Sequence, residues 1–205
     1  MTTGADRPFF VHPLGLCESE DVGAGTRVWA FAHVMAGATL GKDCNVCDHS
    51  FIESGAILGN RVTVKNAVLI WDRVTVADDV FLGPNMVFTN DLMPRATVKK
   101  NRDQLVPTIV EQGATIGANA TIVCGVTIGS WAFVAAGAVV IKSVPAHALM
   151  VGNPARRVGW SCACGDRLRA DLRCSCGRMF ELTDVGLREL VTPTQQEPAS
   201  PPLNG

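Results

Sequence analysis

The chain contains no tyrosine, few aromatic residues and no excess of charge of either sign. Only 18% of its 205 residues are charged, and the formal net charge is −1. Binding to nucleic acid or to an anionic membrane needs clustered positive charge, so the composition argues against both partners. No apolar run approaches the roughly 20 residues that cross a bilayer, and the N-terminus, MTTGADRPFFVHPLG, lacks the pattern of a secretory signal. We therefore expect a soluble, cytoplasmic protein whose eight cysteines are thiols or metal ligands rather than disulfides.

The dominant feature of the sequence is a repeat of six residues. From Val22 to Phe88 every sixth residue is large and apolar, and a second run keeps this spacing from Val110 to Val140. The residue four places after each of these is small or apolar. A period of six matches neither an α-helix nor one uninterrupted strand, but it fits a short strand followed by a turn. Three such units close a triangle, so the pattern predicts an all-β protein, a parallel β-helix with eighteen residues in each coil.

The repeat is interrupted between Phe88 and Val110, which are 22 residues apart and therefore out of phase. The intervening segment carries two prolines and many charged residues, which predicts a loop inserted over 89–109. A long loop in a compact repeat is usually functional, because ordering it costs entropy. The predicted organisation is a β-helix over 8–144, a C-terminal GNPA segment over 145–160, a cysteine-rich element over 161–182, and a tail over 183–205 that is largely disordered from about 192.

Outward-facing polar residues recur at the spacing of one coil next to this loop. Residues eighteen apart should stack in one column, so Asp72 lies below Asn90, and His49 lies in a column with Asn85. Asn66 belongs to the neighbouring column. An exposed polar column is often plain solvated surface, but its position beside the inserted loop favours a binding site at this wall of the β-helix.

Three motifs resemble those of N-acetyltransferases that act on nucleotide-linked amino sugars: CDHSFIE (47–53), IWDRVTVADDVFLGPNMVFTNDLMPR (70–95) and GATIGANATIVCGVTIG (113–129). They are most similar to the enzymes for dTDP-3-amino-3,6-dideoxyhexoses. The segment VPAHALMVGNPARRVGW (144–160) is more similar to the enzyme for UDP-2-acetamido-3-amino-2,3-dideoxyglucuronate. The resemblance implies a left-handed β-helix, a homotrimer with active sites between neighbouring subunits, and acetyl transfer from acetyl-CoA to a 3-amino group. It leaves the nucleotide (dTDP or UDP) and the sugar open.

The resemblance and the chemistry of acetyl transfer suggest catalytic roles for Asn90, His49 and Asp72, with Asp91 as a further candidate. Asn90, in the FTN motif, is implied to hydrogen-bond the sugar amino group, since an amide can orient an amine but does not titrate. His49 is the best candidate for the general base, because imidazole titrates near neutral pH. If His49 is not the base, Asp72, Asp91 or the departing CoA thiolate could take the proton.

Further residues are predicted to bind the two substrates. Loop cations suit a nucleotide diphosphate, arginine by bidentate pairing, although solvated charge is the alternative. Small residues on the later coils allow pantetheine to approach backbone amides, and basic residues beyond them suit the phosphates of CoA. The predicted sugar-nucleotide residues are Asn85, Asp91, Arg95, Asn66 and Glu53, with Lys99 and Lys100; the predicted acetyl-CoA residues are Ala118, Ala136, Gly137, Lys142, Asn153, Arg156 and Arg157.

Four cysteines form a symmetric pattern near the C-terminus, with Cys162 and Cys164 in one Cys-x-Cys-Gly motif and Cys174 and Cys176 in another. Four thiolates can hold zinc tetrahedrally, although the usual ribbon has two residues between paired cysteines rather than one. We expect a small structural zinc ribbon, with a cluster of reduced thiols as the alternative. Four sulfur ligands would leave no open position for catalysis. Cys17, Cys44, Cys47 and Cys124 lie in the coils, and Cys44 and Cys47 are expected to pack rather than to react.

Other functions fit the sequence less well. A zinc carbonic anhydrase on the same fold needs three converging histidines, but the four present are His12, His33, His49 and His147, and His33 and His49 do not share a column. A non-catalytic scaffold would not need the loop, Asn90 and the GNPA segment together. A 4-amino sugar, another amine or hydroxyl acceptor, and a different acyl group remain open alternatives.

Overall fold

The computed structural model describes residues 8–190, which form a parallel β-helix with a small C-terminal module. Most strands have two residues, because the chain turns after every strand. The strands, in chain order, are β1 (Phe10–Val11), β2 (Leu16–Cys17), β3 (Arg27–Val28), β4 (His33–Val34), β5 (Thr39–Leu40), β6 (Asn45–Val46), β7 (Phe51–Ile52), β8 (Ile57–Leu58), β9 (Thr63–Val64), β10 (Leu69–Ile70), β11 (Val74–Val76), β12 (Phe81–Leu82), β13 (Val87–Phe88), β14 (Thr108–Val110), β15 (Thr115–Ile116), β16 (Thr121–Ile122), β17 (Thr127–Ile128), β18 (Phe133–Val134), β19 (Val139–Val140), β20 (Ala148–Val151), β21 (Arg156–Trp160), β22 (Met179–Thr183) and β23 (Gly186–Leu190).

Three sheets form the faces of the prism. Sheet 1 has the order β1-β3-β6-β9-β12-β15-β18-β20-β21, sheet 2 the order β19-β16-β13-β10-β7-β4-β2, and sheet 3 the order β17-β14-β11-β8-β5. The register is parallel and joins residues one coil apart, as in Leu40 opposite Leu58 and Val46 opposite Val64. The parallel β-helix predicted from the six-residue period is therefore confirmed.

The core runs along the axis of the prism. The second residue of a typical strand points inward and is buried, whereas the first faces outward. The inward residues are the large apolar positions of the repeat, and burying one such side chain contributes about 1.5–3 kcal/mol. Small buried residues such as Ala38 and Ala56 fill the corners between them. The largest fully buried side chains include Phe88, Leu40, Ile52, Leu58, Ile70, Leu82, Met86, Ile116, Ile122 and Ile128.

The inserted loop leaves and re-enters the β-helix between sheets 2 and 3. Val76 pairs with Val110, 34 residues later, whereas Leu58 pairs with Val76 eighteen residues later, so sixteen residues are inserted into this coil. A 3₁₀-helix at Arg102–Gln104 is part of the insertion. β14 begins at Thr108, so the last two residues of the predicted loop, 108 and 109, belong to the coil. Thr108 occupies a small position of the repeat, which the spacing of the large residues does not reveal.

The C-terminal module starts where β21 folds back antiparallel on β20. It continues through the cysteine-rich segment to the antiparallel hairpin of β22 and β23. β23 lies inside the predicted tail of 183–205, so this part of the tail is structured; the disorder expected from about 192 falls outside the described residues. Within residues 8–190, no helix is long and apolar enough to cross a membrane.

Candidate active site

The predicted site residues lie on two edges of the prism. The His49 corner comprises the turns between sheets 1 and 2, at residues 47–50, 65–68, 83–86, 117–120 and 135–138. The loop corner comprises the turns between sheets 2 and 3, at residues 53–56, 71–73, 89–107 and 123–126.

The His49 corner carries Asn66 and Asn85 of the predicted sugar-binding residues and Ala118, Ala136 and Gly137 of the predicted donor-binding residues. The other predicted sugar-binding residues lie on the loop corner. Asn85 N–H donates to the Asn66 carbonyl (3.0 Å), and two coils further on Gly137 N–H donates to the Ala118 carbonyl (2.8 Å). Successive turns along this edge are therefore stacked by backbone hydrogen bonds. Within residues 8–190 the backbone N–H groups of Ala118 and Ala136 donate no hydrogen bond. These two amides can therefore donate to a bound ligand.

The imidazole of His49 is accessible on this corner. His49 adopts a positive φ of 61°, which turns its exposed side chain away from the core. Its ring stacks on Phe31 of the preceding coil, with centroids 5.0 Å apart and planes at 10°. Neither ring nitrogen forms a hydrogen bond with any other residue in 8–190. The ring is held by stacking while both nitrogens remain available.

Asn90 lies at the neck of the inserted loop. Its carbonyl accepts the Val106 N–H (2.9 Å), which closes the base of the loop, and the neighbouring Thr89 Oγ1 accepts the Cys124 N–H (3.0 Å). The side-chain amide of Asn90 is half-buried and makes no hydrogen bond with another described residue. A rigid backbone thus presents an uncommitted amide at the loop corner.

Asp72 and Glu53 hold the loop against the β-helix. The Asp72 carboxylate, whose side chain is 13% exposed, accepts hydrogen bonds from Arg102 Nε (2.7 Å) and Nη2 (3.0 Å) in the loop. Glu53 Oε2 accepts the Asp72 N–H (2.7 Å). Both carboxylate oxygens of Asp72 accept hydrogen bonds from Arg102, whereas a proton acceptor would need an available oxygen. Glu53, predicted from the sequence to contact the sugar, instead contacts the backbone of Asp72.

The charged residues of the loop fall into two groups. Asp91 is paired with Lys100, and this ammonium group holds the pKa of the Asp91 carboxyl below its ordinary value. Lys100 Nζ also donates to the Met93 carbonyl (3.1 Å), so Asp91 and Lys100 stabilise the loop itself. Arg95 and Lys99 are exposed, and neither forms an ion pair within the described chain. Arg95 Nη1 donates only to the neighbouring Pro94 carbonyl (3.3 Å), so neither cation is neutralised by a carboxylate in residues 8–190 and both can contact an anionic ligand.

The basic residues predicted to bind CoA phosphates come together at the C-terminal end of the β-helix. Lys142, Arg156 and Arg157 line a cavity of about 340 Å³. The GNPA turn covers the last coil, since Gly152 accepts the Val139 N–H (3.0 Å) and Ala155 N–H donates to the Val139 carbonyl (2.8 Å). Asn153 is exposed on this turn and does not line the cavity.

Sequence reasoning missed two residues that position this site. Arg102 anchors the loop on Asp72, and Trp160 carries the Arg157 guanidinium 4.2 Å from the centroid of its ring. Neither interaction has a signal in the repeat, because each involves a segment outside the six-residue period.

His49 and Asn90 do not meet within one chain. They lie on different corners, separated by the face of sheet 2. The polar columns predicted to converge on one wall are therefore divided between two edges. Stacking fixes which residues share a column, but the distance between columns depends on the path around the prism.

The four C-terminal cysteines are brought together. The sulfur atoms of Cys162, Cys164, Cys174 and Cys176 all lie within 4.8 Å of one another. Within residues 8–190 this is the only such group of three or more histidine, cysteine or acidic side chains, and it contains no histidine. Cys44 and Cys47 are buried in the coils, and burial raises the pKa of both thiols, in keeping with packing roles.

Similarity to known proteins agrees with this architecture. The family model described as "Bacterial transferase hexapeptide (six repeats)" matches residues 107–142. The dTDP-3-amino-3,6-dideoxy-alpha-D-galactopyranose 3-N-acetyltransferase of Aneurinibacillus thermoaerophilus is 45% identical over 185 residues, covering 89% of this chain and 95% of that protein. The bifunctional protein GlmU of Nitratidesulfovibrio vulgaris (strain DP4) is 31% identical over 74% of this chain and 35% of its own length.

Among solved structures, the acetyltransferase domain of PglB from Neisseria gonorrhoeae in complex with acetyl coenzyme A aligns with a TM-score of 0.46. Its identity is 20%, and the alignment covers 74% of this chain and 55% of that chain. Identity of 45% over nearly the full length of both proteins is much stronger than this likeness. On the first relative and the repeat together, the chain belongs to the hexapeptide-repeat N-acetyltransferase family.

Proposed function

We propose that the protein transfers the acetyl group of acetyl-CoA to the 3-amino group of a dTDP-linked 3-amino-3,6-dideoxyhexose. The observation that carries the proposal is the 45% identity, over 95% of its length, with an enzyme named for this reaction on the galactose isomer. The same relative favours dTDP over UDP, and a 3-amino over a 4-amino acceptor. The predicted site residues whose polar groups have no partner among the described residues suit the two substrates.

The donor end of the site suits acetyl-CoA. Lys142, Arg156 and Arg157 supply positive charge for phosphates at the C-terminal end of the β-helix. The unpaired N–H groups of Ala118 and Ala136 lie along the His49 corner, where they can hydrogen-bond the pantetheine chain or the thioester oxygen. Donors aimed at the developing oxyanion are a major source of rate enhancement in acyl transfer.

The reaction requires positioning and one proton transfer. The neutral amine attacks the thioester carbonyl, the C–N bond forms, and collapse of the intermediate breaks the C–S bond and releases CoA thiolate. Asn90 orients the amine through its side-chain carbonyl. The amine proton passes to His49 or to the departing thiolate, because Asp72 and Asp91 are engaged by Arg102 and Lys100. Asp72 and Glu53 contribute by holding the loop.

A homotrimer with its sites between subunits accounts for the separation of His49 and Asn90. Along sheet 2 the outward positions are largely apolar, with Leu16 51%, Leu69 39% and Val87 47% exposed. If this face points to a threefold axis, the His49 corner of one copy meets the loop corner of the next, since a cyclic interface joins two different patches. Each of the three sites then combines His49 from one chain with Asn90 from another.

The function is tested by measuring CoA release from acetyl-CoA with dTDP- and UDP-linked 3-amino sugars and a dTDP-linked 4-amino sugar. We expect turnover with the dTDP-3-amino-3,6-dideoxyhexoses and much less with the others. No CoA release with any amino sugar from the folded protein would overturn the enzyme assignment. Preferential turnover of the UDP or 4-amino substrate would overturn the acceptor.

Substituting Asn90 tests the orienting role. Asn90→Ala should lower kcat/KM for the sugar by about tenfold to a hundredfold, since one hydrogen bond to the reacting group is lost. Asn60→Ala is the matched control, because Asn60 lies on the third corner of the prism, in a turn between sheets 3 and 1, and its side chain donates a hydrogen bond to Asp78. Equal activity of the two variants would contradict the role of Asn90.

Mixing variants tests whether the site is shared. If His49→Ala and Asn90→Ala are each inactive, every mixed trimer contains one site with both residues intact, so an equal mixture after subunit exchange should recover about a quarter of wild-type activity. No recovery, in a mixture shown to contain hybrid trimers, would refute a site that combines His49 and Asn90 from different chains. Near-full activity of His49→Ala alone would identify the thiolate as the proton acceptor.

A further inference from the structure

The two cysteine motifs fold into the same turn. Cys162 N–H donates to the Asp166 carbonyl (2.8 Å) and Gly165 N–H donates to the Cys162 carbonyl (2.9 Å). In the second turn Cys174 N–H donates to the Arg178 carbonyl (2.9 Å) and Gly177 N–H to the Cys174 carbonyl (3.1 Å). Each turn is completed by a glycine with positive φ, 98° at Gly165 and 91° at Gly177. The single residue between paired cysteines is therefore part of a repeated turn that directs both sulfurs to one side.

The sulfur atoms have the spacing of a metal site. Cys162 Sγ lies 3.7 Å from Cys176 Sγ, and Cys164 Sγ lies 3.4 Å from Cys174 Sγ. Four thiolates around tetrahedral zinc, each about 2.3 Å from the ion, are separated by about 3.8 Å. The two observed pairs lie within a few tenths of an ångström below this distance. The contacts cross between the two turns, so one ion would tie the turns together.

The module around the cysteines lacks enough core to hold itself together. Its buried apolar cluster has five members, Cys162, Leu168, Cys174, Phe180 and Leu187, and two of these are ligand candidates. Units of fewer than about 40 residues usually need disulfides, a metal or a partner surface to fold. A metal ion supplies such a staple in this segment.

We propose that Cys162, Cys164, Cys174 and Cys176 bind one zinc ion as thiolates, and that the ion holds the C-terminal module as a cap which positions Arg157. Four sulfur ligands close the coordination sphere, so the ion is structural, and the thiol protons pass to solvent on binding. The part concerning Arg157 rests on the proposed function, whereas the metal site does not.

The module contacts the β-helix directly next to the ligands. Ser161, the residue before Cys162, donates through its N–H to the His147 carbonyl (2.8 Å) and through Oγ to the Trp131 carbonyl (3.1 Å). Phe180 packs edge-on against His147, with centroids 4.8 Å apart. The cap is therefore joined to the last coil by both backbone and side chains.

Trp160 connects this cap to the basic cavity. It packs against the core of the β-helix and against the cysteine cluster, two residues before Cys162. Its ring lies under the Arg157 guanidinium, a cation–π arrangement that restricts where the charge sits. Loss of the ion would free the turn that holds Trp160, so Arg157 would lose its fixed position at the cavity lined by Lys142.

Metal content is the first test. Purified under reducing conditions or reconstituted with zinc, the wild-type protein should contain one zinc per chain, and a chelator should lower its thermal stability. Cys174→Ser should lose the metal, while Cys44→Ser should keep it. Cys44 is a matched control because its thiol donates a hydrogen bond to the Gly59 carbonyl (3.1 Å). At the equivalent position of the next repeat the hydroxyl of Ser50 donates in the same way to the Lys65 carbonyl, so serine is compatible with this position.

Three results would overturn the metal site. These are a reduced wild-type protein that binds no zinc, full zinc retention by Cys174→Ser, and a thiol titration in denaturant that finds the four cysteines paired as disulfides. Cobalt substitution tests the site in the wild-type protein, without a variant whose folding could be affected. Tetrahedral cobalt bound by thiolates gives a characteristic absorption spectrum. None of these measurements depends on the identity of the sugar.

Steady-state kinetics test the positioning of Arg157. Trp160→Leu should keep its zinc and its kcat but raise KM for acetyl-CoA by about three- to tenfold, with KM for the sugar unchanged. Zinc-free wild-type protein should show the same selective rise, reversed on adding zinc. An unchanged KM for acetyl-CoA in both would refute the coupling while leaving the metal site standing. If no amino sugar is turned over, binding of CoA measured by calorimetry replaces KM.

Discussion

The pair between Asp72 and Arg102 provides a sharp test of how the loop is held. Asp72→Asn removes the charge that accepts both Arg102 hydrogen bonds and leaves every residue of the loop unchanged. The Asp72 side chain is 13% exposed, but that of Arg102 is 65% exposed, so solvent screens the pair. Exposed ion pairs contribute about 0.2–1 kcal/mol. The bidentate geometry and the shielded carboxylate favour the upper end of this range, about 1 kcal/mol.

A loss of about 1 kcal/mol should raise the population of the detached loop about fivefold, because 1.4 kcal/mol corresponds to a factor of ten. Limited trypsin digestion reports this population when opening is fast relative to cleavage. Cleavage after Arg95, Lys99 and Lys100, assigned by mass spectrometry, should therefore be about fivefold faster in Asp72→Asn. High salt should shrink the difference by weakening the wild-type pair.

Asp79→Asn is the matched control. Asp79 accepts two hydrogen bonds from Arg61 (2.6 and 2.9 Å) on the third corner, so the same substitution breaks a pair of the same kind far from the loop. Its loop should be cut at the wild-type rate. Equal cleavage rates in Asp72→Asn and wild type, or equal acceleration in both variants, would refute the anchoring role of Asp72.

Three further predictions concern stability, pH and assembly. Phe88→Ala should lower the free energy of unfolding by about 3–5 kcal/mol in urea titrations, because Phe88 is 1% exposed, whereas Phe81→Ala, at 39% exposure, should cost much less. Burial lowers the pKa of His147 below its ordinary 6.5 in the folded protein. As pH falls, His147 is therefore protonated in the unfolded chain before it is protonated in the folded one, and the free energy of unfolding decreases as pH falls through about 6.5. Between pH 7.5 and pH 5.5 the melting temperature of His147→Asn should fall by less than that of the wild type, and an equal fall in both proteins would contradict this prediction. Leu69→Lys should convert the proposed trimer to monomers in sedimentation, while Ile57→Lys, similarly exposed on sheet 3, should not; a trimeric Leu69→Lys would argue against sheet 2 as the interface.

Much of the fold was predictable because the six-residue period reports local geometry. Each large residue marks one inward position, as at Leu58 and Val64, so counting residues counts faces and coils. The end of the loop was less predictable, since Thr108 resumes the coil at a small position whose residue type carries little information. The strand β23 was missed because Gly186–Leu190 has no repeat and forms only by pairing with β22.

The candidate site was predictable column by column but not as an assembly of columns. His49 and Asn85 are 36 residues apart, which is two coils of eighteen, so the sequence predicts that they share a column. Both residues have a positive φ, 61° and 57°, as expected for equivalent positions in successive turns. The engagement of Asp72 by Arg102 joins residues 30 apart across the insertion, where no period applies. A polar residue in the right column can therefore be an anchor rather than a catalytic group.

By itself, the sequence determined the period, and hence the coil length, the identity of the core residues and the columns along each edge. This is possible because every coil repeats the same short-range geometry. Only the tertiary structure decided that His49 and Asn90 occupy different corners, that the loop folds back on Asp72, and that the cysteine cluster lies beside Trp160. These features depend on contacts between segments far apart in the chain, whose direction is set by packing rather than by spacing.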